Sequence, residues 1–119
     1  AREKERYIIE DDYDSEFRYR GKPVPSLQAS DAAGKVIYMG TFSKSIAPAI
    51  RVGYMVLPEA LLKRYRQKCA CFSCTVSRVD QAVLEQFLDS GAFERHLNRM
   101  RKSYSRKHEA LLDGLKPIF

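Results

Sequence analysis

Residues 35–48 have the sequence KVIYMGTFSKSIAP, and this stretch decides the fold. Its first part, residues 35–41, is compact and mostly apolar, which is typical of a strand buried on both faces of a parallel or mixed sheet. The strand leads directly into a Thr-x-Ser-Lys turn that contains Phe42, Ser43 and Lys44, so polar and reactive groups follow it without a linker. Ligands of α/β proteins bind at such strand ends. The stretch therefore predicts the ligand-binding edge of an α/β sheet.

Two further strands are expected around this one. Residues 7–9 form a short β-branched and aromatic run that leads into acidic residues, which predicts a strand ending near Asp12. A third strand is expected over residues 51–57, after Pro48. Between the first two strands, residues that break regular structure predict a long loop, namely Gly21, Pro23, Pro25 and Ser26.

Helices follow the strands. Pro58 suits the first turn of a helix over 59–68, and apolar residues at helical spacing predict a second helix from Val79 to Gly91 and a third over 93–115. Three strands followed by helices indicate the α/β class. The last helix needs a surface to pack on, and little sheet remains for it. We therefore expect a fragment of a larger domain, with exposed apolar surface that favours association of the isolated piece.

Composition excludes several classes of protein. The 119 residues, of which 45% are hydrophobic, suit one ordinary soluble domain. No run approaches the roughly 20 apolar residues of a membrane-spanning helix, and residues 1–6 are too charged for a signal peptide, so a cytoplasmic location is expected. The formal charge of +6 comes entirely from residues 63–119. There it indicates the solvated basic face of amphipathic helices, including residues 95–107, rather than a DNA-reading surface.

Three cysteines lie close together, at Cys69, Cys71 and Cys74. Their odd number and tight spacing favour reduced thiols over a disulfide framework. A zinc site would need a fourth ligand, and His96 and His108 are distant in the sequence, so no metal site is expected. We expect the cysteines to be small buried hydrophobic residues.

A group of polar residues at the predicted strand ends has the chemistry of a cofactor site. Asp11 and Tyr13 are two apart, so in an extended chain both project from one face, while Asp12 and Asp14 point the other way. Each could instead be an ordinary polar group at the end of a strand. Their joint occurrence with Lys44 favours the cofactor interpretation.

Lys44 and its neighbours supply groups for a phosphate-bearing aldehyde. The amine of Lys44 becomes nucleophilic towards an aldehyde if a nearby cation lowers its pKa, and Arg51 is a candidate for that cation. The planar guanidinium of Arg51 also suits a phosphate, and the hydroxyls of Thr41 and Ser43 add neutral donors. The alternatives are a solvated loop lysine and an arginine in a salt bridge.

Three motifs carry a family resemblance, namely IEDDYDSEFRY at residues 9–19, GTFSKSIAP at residues 40–48 and RVGY at residues 51–54. Together they resemble the fold-type I aminotransferase module. More narrowly, they resemble the MocR/GabR-type regulators of the GntR superfamily, which fuse a winged helix-turn-helix domain to an aminotransferase-like domain that binds pyridoxal 5'-phosphate (PLP). The resemblance implies a partial large domain of a PLP-dependent transferase.

The resemblance also implies a division of the chain. Residues 1–58 would be the strand and cofactor-site segment, and residues 59–119 would be helices that pass toward the small subdomain. The winged helix-turn-helix domain would lie outside these 119 residues. We expect the 119 residues alone to bind PLP weakly or not at all.

Roles for individual residues follow from the resemblance. Lys44 would be the Schiff-base lysine, Asp11 would pair with the pyridine nitrogen of PLP, and Tyr13 would approach its phenolic oxygen. Arg51, with Thr41 or Ser43, would hold the phosphate. A carboxylate at the ring nitrogen keeps the ring protonated and able to accept electrons.

The resemblance favours a regulator over an enzyme. Many class I aminotransferases carry Asp-x-x-Tyr at the first motif, whereas this chain has Asp11-Asp12-Tyr13 in an acidic, aromatic stretch typical of the regulators. The implied function is an effector-sensing domain that binds an amine or amino acid by transaldimination at Lys44, acts on DNA through the absent domain, and forms a homodimer. The alternative is a class I/II aminotransferase that catalyses amino-group transfer, with Lys44 as proton shuttle.

Overall fold

The computed structural model describes residues 6–17 and 24–116. It contains three strands and four helices, in the order β1 Ile8–Asp12, β2 Val36–Thr41, α1 Phe42–Ser45, β3 Gly53–Val56, α2 Glu59–Cys69, α3 Arg78–Asp89 and α4 Ala92–Leu115. Two short 3-10 turns lie at Ser15–Phe17 and Gln28–Ser30. The predicted three strands followed by helices are confirmed. Of the residues expected to form the long loop, Gly21 and Pro23 lie outside the described ranges.

The strands form one mixed sheet in the order β1-β2-β3. β1 pairs in parallel with β2, with Asp11 opposite Met39 and Asp12 opposite Gly40. β3 pairs antiparallel with β2, with Tyr54 opposite Gly40. Because β1 and β2 run in the same direction, their carboxyl ends meet at one edge of the sheet.

Two predictions about local structure need correction. The segment after β2 was expected to be a turn, but it forms the one-turn helix α1, because the Thr41 side chain accepts a hydrogen bond from the Ser43 amide at the helix start. The third strand is also shorter than the predicted 51–57 and begins at Gly53. The Val52 carbonyl accepts bonds from the Phe42 amide and the Thr41 hydroxyl, which fixes this part of the loop to the start of α1.

The loop before β2 is held by carboxylates. Glu10 accepts hydrogen bonds from the backbone amides of Leu27 and Gln28, which ties the loop to β1. Asp31 accepts bonds from the amides of Lys35 and Val36, where β2 begins. Burial alone would raise the pKa of the Asp31 carboxyl, but these and neighbouring backbone hydrogen bonds lower it overall.

Helices α3 and α4 pack against each other and reach the sheet through aromatic contacts. Ser77 caps α3 by accepting a bond from the Asp80 amide, and Gly91, with φ of 66°, adopts the left-handed conformation that lets α4 follow α3 at once. The Phe42 ring packs against Tyr54 of β3 and Phe93 of α4, at 5.1 and 6.1 Å between centroids. The core thus lies between the strands and the junction of α3 and α4.

A second contact fixes α4 to the end of β1. Phe17 is buried, and its ring meets the edge of Tyr104 of α4 at 5.5 Å between centroids. Arg101 donates a hydrogen bond of 2.6 Å from Nε to the Glu16 carbonyl. Helix α4 therefore holds the turn that follows the acidic strand end. Two basic residues of this helix, Arg99 and Lys102, are exposed, as expected for a solvated face.

Much apolar surface stays uncovered. β2 was expected to be buried on both faces, but of its residues only Val36 is buried. Ile9, Met39 and Met55, which alternation and register place on the other face, are exposed by 67, 38 and 52%. The exposed apolar surface expected from the sequence is therefore present.

The prediction that the cysteines are buried is wrong, because Cys71 and Cys74 are exposed and Cys69 is half-buried at the end of α2. Among residues 6–17 and 24–116 there is no group of three His, Cys, Asp or Glu side chains placed to hold a metal ion. In the same ranges no helix is long and apolar enough to cross a membrane.

Candidate functional site

The edge where β1 and β2 end carries the candidate site. β1 ends at Asp12 and is followed by Tyr13 and Asp14, while β2 ends at Thr41 and passes directly into α1, which carries Lys44. The parallel pairing brings these two chain segments together although 30 residues separate Asp14 from Lys44. The sheet thus assembles the site from two distant motifs.

Lys44 contacts both residues that follow β1. Its Nζ lies 2.9 Å from Asp14 Oδ2 and 4.8 Å from the centroid of the Tyr13 ring. The Lys44 side chain is 37% exposed and that of Asp14 is 62% exposed, so water reaches the ion pair. Lys44 therefore lies beside both Tyr13 and Asp14 at the strand end.

The contact with Asp14 corrects the expectation that this residue points away from Tyr13. Strand alternation governs side-chain direction only as far as Asp12, where β1 ends. Asp12 Oδ1 then accepts a bond of 3.1 Å from the Ser15 amide, which turns the chain. Asp14 lies within that turn, and its carboxylate reaches Lys44.

The two neighbouring aspartates of β1 have different surroundings. Asp11 is exposed and lies opposite Met39, whereas Asp12 is half-buried and its Oδ2 accepts a bond of 2.6 Å from the Tyr38 hydroxyl. Burial alone would raise the pKa of the Asp12 carboxyl, but bonds from Tyr38 and Ser15 lower it overall. Asp12 is therefore engaged within the protein, and Asp11 presents its carboxylate at the surface.

Tyr38 is the other half of this interaction. Burial of its side chain, followed by the bond to Asp12 and the proximity of Tyr54, raises the pKa of the Tyr38 hydroxyl above its ordinary value. The hydroxyl thus keeps its proton and remains a donor to Asp12 at neutral pH. Sequence reasoning missed Tyr38, because only the parallel register, which places it opposite Glu10, brings its hydroxyl near Asp12.

Thr41 and Ser43 organise the loop around Arg51. The Ser43 hydroxyl donates a bond of 2.8 Å to the Ile50 carbonyl, and the Thr41 hydroxyl donates one of 3.3 Å to the Val52 carbonyl. The two acceptors flank Arg51, which is exposed. The hydroxyls that were expected to face a phosphate therefore bind the backbone carbonyls of the residues before and after Arg51.

A cavity of about 400 Å³ lies beside the strand end. It is lined on one side by Asp11, Tyr13 and Asp14 and on the other by Val24 and Pro25. This volume is within the range of small-molecule sites. The lining residues thus offer carboxylates, a phenol ring and space for a small ligand. Lys44 and Arg51 are not among them, and Arg51 lines a separate cavity of about 470 Å³.

Sequence comparison identifies related proteins. The family model described as aminotransferase class I and II matches residues 1–118. The uncharacterized HTH-type transcriptional regulator YdeL of Bacillus subtilis is 48% identical over 116 residues, which are 98% of this chain and 25% of that protein. The probable rhizopine catabolism regulatory protein MocR of Rhizobium meliloti is 42% identical over 106 residues, 89% of this chain and 22% of that protein.

Structure comparison agrees with the sequence matches. A crystal structure of Pyrococcus horikoshii kynurenine aminotransferase in complex with PMP superposes with a TM-score of 0.80 at 36% identity, over 92% of this chain and 27% of that one. The expected PLP-dependent transferase fold and the resemblance to MocR-type regulators are both confirmed. The chain spans about a quarter of the length of the curated relatives it matches.

Proposed function

The chain belongs to the aminotransferase class I and II family, and from that premise we propose that it is part of the effector-sensing, PLP-binding domain of a MocR-type transcriptional regulator. The regulator matches at 48 and 42% identity support this choice. YdeL is named as an HTH-type transcriptional regulator, and MocR is named as a probable regulatory protein. We accordingly propose that DNA is bound through a separate helix-turn-helix domain in the cytoplasm, and that the complete protein forms a homodimer.

One observation carries the proposal: Lys44 lies at the shared edge of β1 and β2, next to the residues that follow Asp11. The donor set fits PLP group by group. A primary amine suits the aldehyde, the exposed Asp11 carboxylate suits the pyridine nitrogen, and the exposed Arg51 guanidinium suits the phosphate. Tyr13 lies beside Lys44, where its phenol suits the phenolic oxygen of the cofactor.

When bound, PLP supplies an aldehyde that an amine captures and a ring that accepts electrons. The residues of this chain bind and orient it. Lys44 provides the amine that holds the aldehyde, and Thr41 and Ser43 position Arg51 by fixing the carbonyls on both sides of it. An amine or amino acid effector would take the place of Lys44 on the aldehyde carbon.

Such an exchange regulates DNA binding only if the effector binds one conformation of the regulator more tightly than the other. The displaced Lys44 changes its contacts at the strand end, and α4 is fixed to the same turn through Arg101 and Glu16. These contacts support α4 as the element that responds to the exchange.

Borohydride reduction of the PLP-loaded complete gene product tests the proposal. The pyridoxyl mass should map to Lys44, and Lys44→Ala should abolish it. Lys35→Ala is a matched control, because Lys35 also lies over a tyrosine ring, 5.1 Å from the Tyr7 centroid, at the opposite end of β2. Label on a different lysine in the unaltered protein would contradict the proposal.

The alternative function is PLP-dependent amino-group transfer, which the structural likeness to kynurenine aminotransferase favours. Lys44 would then also move a proton between the substrate carbon and the cofactor carbon. Repeated turnover of amino acid and 2-oxo acid by the complete gene product would establish the enzyme. An effector-dependent change in DNA binding without turnover would establish the regulator.

A further inference from the structure

We infer that Asp14 is a positioning residue for Lys44: it holds the charged amine over the Tyr13 ring before the cofactor is bound, and it receives that amine again when an effector displaces it. The inference rests on the proposed function of Lys44. It assigns a role to a residue that the sequence analysis expected to point away from the site.

The geometry supports a specific contact. Lys44 Nζ and Asp14 Oδ2 are 2.9 Å apart, which is the distance of a charge-assisted hydrogen bond, and the same Nζ lies 4.8 Å from the Tyr13 ring centroid. The ring limits the positions open to the amine on one side and the carboxylate fixes it on another. Cation–π and ion-pair contacts therefore act on Lys44 together.

The contact is built into the local fold. The Asp12 carboxylate accepts bonds from the Ser15 amide and the Tyr38 hydroxyl, so the turn that carries Asp14 is fixed to β2. On the other strand, the Thr41 side chain caps α1, which fixes the backbone of Lys44. Both partners of the ion pair are thus positioned by hydrogen bonds of their own elements.

Linking Lys44 to an aldehyde requires this ion pair to break. The ammonium releases one proton to solvent, its nitrogen forms a C=N bond to the aldehyde carbon, and the two remaining N–H protons leave with the aldehyde oxygen as water. When an effector ammonium replaces Lys44, the effector nitrogen forms the C=N bond to the aldehyde carbon, the bond from Lys44 to that carbon breaks, and the three protons of the effector ammonium are taken up by the Lys44 nitrogen. Asp14 therefore slows the linkage of Lys44 to the aldehyde, and it stabilises the Lys44 ammonium after an effector has displaced Lys44.

The rate of linkage measures this effect. The complete gene product is freed of PLP, PLP is added as the probe, and samples are quenched with borohydride so that pyridoxyl on Lys44 can be quantified. Because the pair is partly exposed, the expected effect of Asp14→Asn is a roughly two- to fivefold faster linkage. Asp14→Glu keeps the charge, so its rate of linkage should be closer to that of the unaltered protein.

Two controls separate the ion pair from general electrostatics. Asp113→Asn removes a carboxylate that makes a comparable pair, 2.8 Å from Lys116 on α4, and should leave the rate unchanged. Pyridoxal, which lacks the phosphate, is the second probe. If Asp14 acted only by repelling the phosphate, Asp14→Asn would not increase the rate of linkage when pyridoxal is the probe.

The inference is supported if Asp14→Asn links Lys44 faster with both PLP and pyridoxal, and Asp113→Asn does not. An unchanged or slower rate, or a gain restricted to PLP, overturns the role of Asp14 while the label on Lys44 still upholds the proposed function. Absence of label from Lys44 in the unaltered protein overturns the proposed function and this inference with it.

Discussion

The Tyr54 ring of β3 lies across Gly40 of β2, so close that a Cβ at Gly40 would be 2.5 Å from the ring carbon Cζ. The ring also packs against Phe42, 5.1 Å away between centroids. Because Gly40 has no side chain, the ring of Tyr54 can lie over it and pack against Phe42. This contact is next to Thr41, which caps the helix that carries Lys44.

Gly40→Ala should destabilise the protein, because the ring of Tyr54 must move and lose its packing. We expect a loss of about 1–3 kcal/mol in the free energy of unfolding, measured by urea denaturation. In a Tyr54→Ala background the same change should cost much less. Gly114→Ala is the control, since nothing lies within 4 Å of that position in α4, and it should stabilise the helix by about 1 kcal/mol.

Tyr38→Phe should lower the free energy of unfolding at neutral pH and change how that free energy depends on pH in the acid range. The lowered pKa of Asp12 means that its contribution to stability is present above the ordinary value of 3.8 and is lost as the pH falls through the lower, folded value. Removing the Tyr38 hydroxyl should cost about 1–2 kcal/mol at pH 7. The difference from the unaltered protein should shrink as the pH falls below 3.8.

Urea denaturation at a series of pH values checks this prediction. Tyr65→Phe is the control, because Tyr65 of α2 is 53% exposed, and its profile should match that of the unaltered protein. If the loss in the free energy of unfolding caused by Tyr38→Phe stayed the same down to the lowest pH, the effect could not be assigned to Asp12.

Ser43→Ala should weaken retention of PLP by the complete gene product. The change removes the 2.8 Å bond to the Ile50 carbonyl, which fixes the backbone next to Arg51. We expect the dissociation constant for PLP to rise roughly two- to tenfold, measured by equilibrium dialysis. Ser90→Ala removes a hydroxyl that also donates to a backbone carbonyl, that of Phe87, and should leave PLP affinity unchanged. Equal affinity in both variants would argue against a role for Ser43 in positioning Arg51.

Arg101→Ala should loosen α4 from the end of β1. The variant loses the bond from Nε to the Glu16 carbonyl and leaves that carbonyl without this donor, so we expect a loss of about 1–2 kcal/mol in the free energy of unfolding. Arg99→Ala, an exposed change on the same helix, should have little effect. Hydrogen exchange of the Phe17 amide should accelerate in Arg101→Ala and not in Arg99→Ala.

The elements with strong local signals could be predicted from the sequence. The apolar run of β2 and the helical spacing in α3 and α4 are carried by side chains close together in the chain, and the observed bounds lie within a few residues of the expected ones. The polar groups placed at the ends of the first two strands were found there. Their assigned roles toward a cofactor stay predictions.

The rest depends on contacts between distant residues. The direction of Asp14 follows from the bond between Asp12 and the Ser15 amide, and the engagement of Asp12 follows from Tyr38, which only the sheet register brings near. The exposure of Cys71 and Cys74 reflects their position in the connection between α2 and α3. Neither hydrophobic period nor motif spacing contains this information.

The bond between Tyr38 and Asp12 also distinguishes two adjacent, chemically identical aspartates. A slip of β1 by one residue against β2 would exchange the faces of the sheet to which Asp11 and Asp12 project. In the slipped arrangement Asp12 would take the exposed position, and Tyr38 would face the wrong carboxylate. The bond from the Tyr38 hydroxyl to Asp12 thus stabilises the observed register of β1 and β2 over the slipped one. In the observed register Asp11 is the aspartate exposed to solvent.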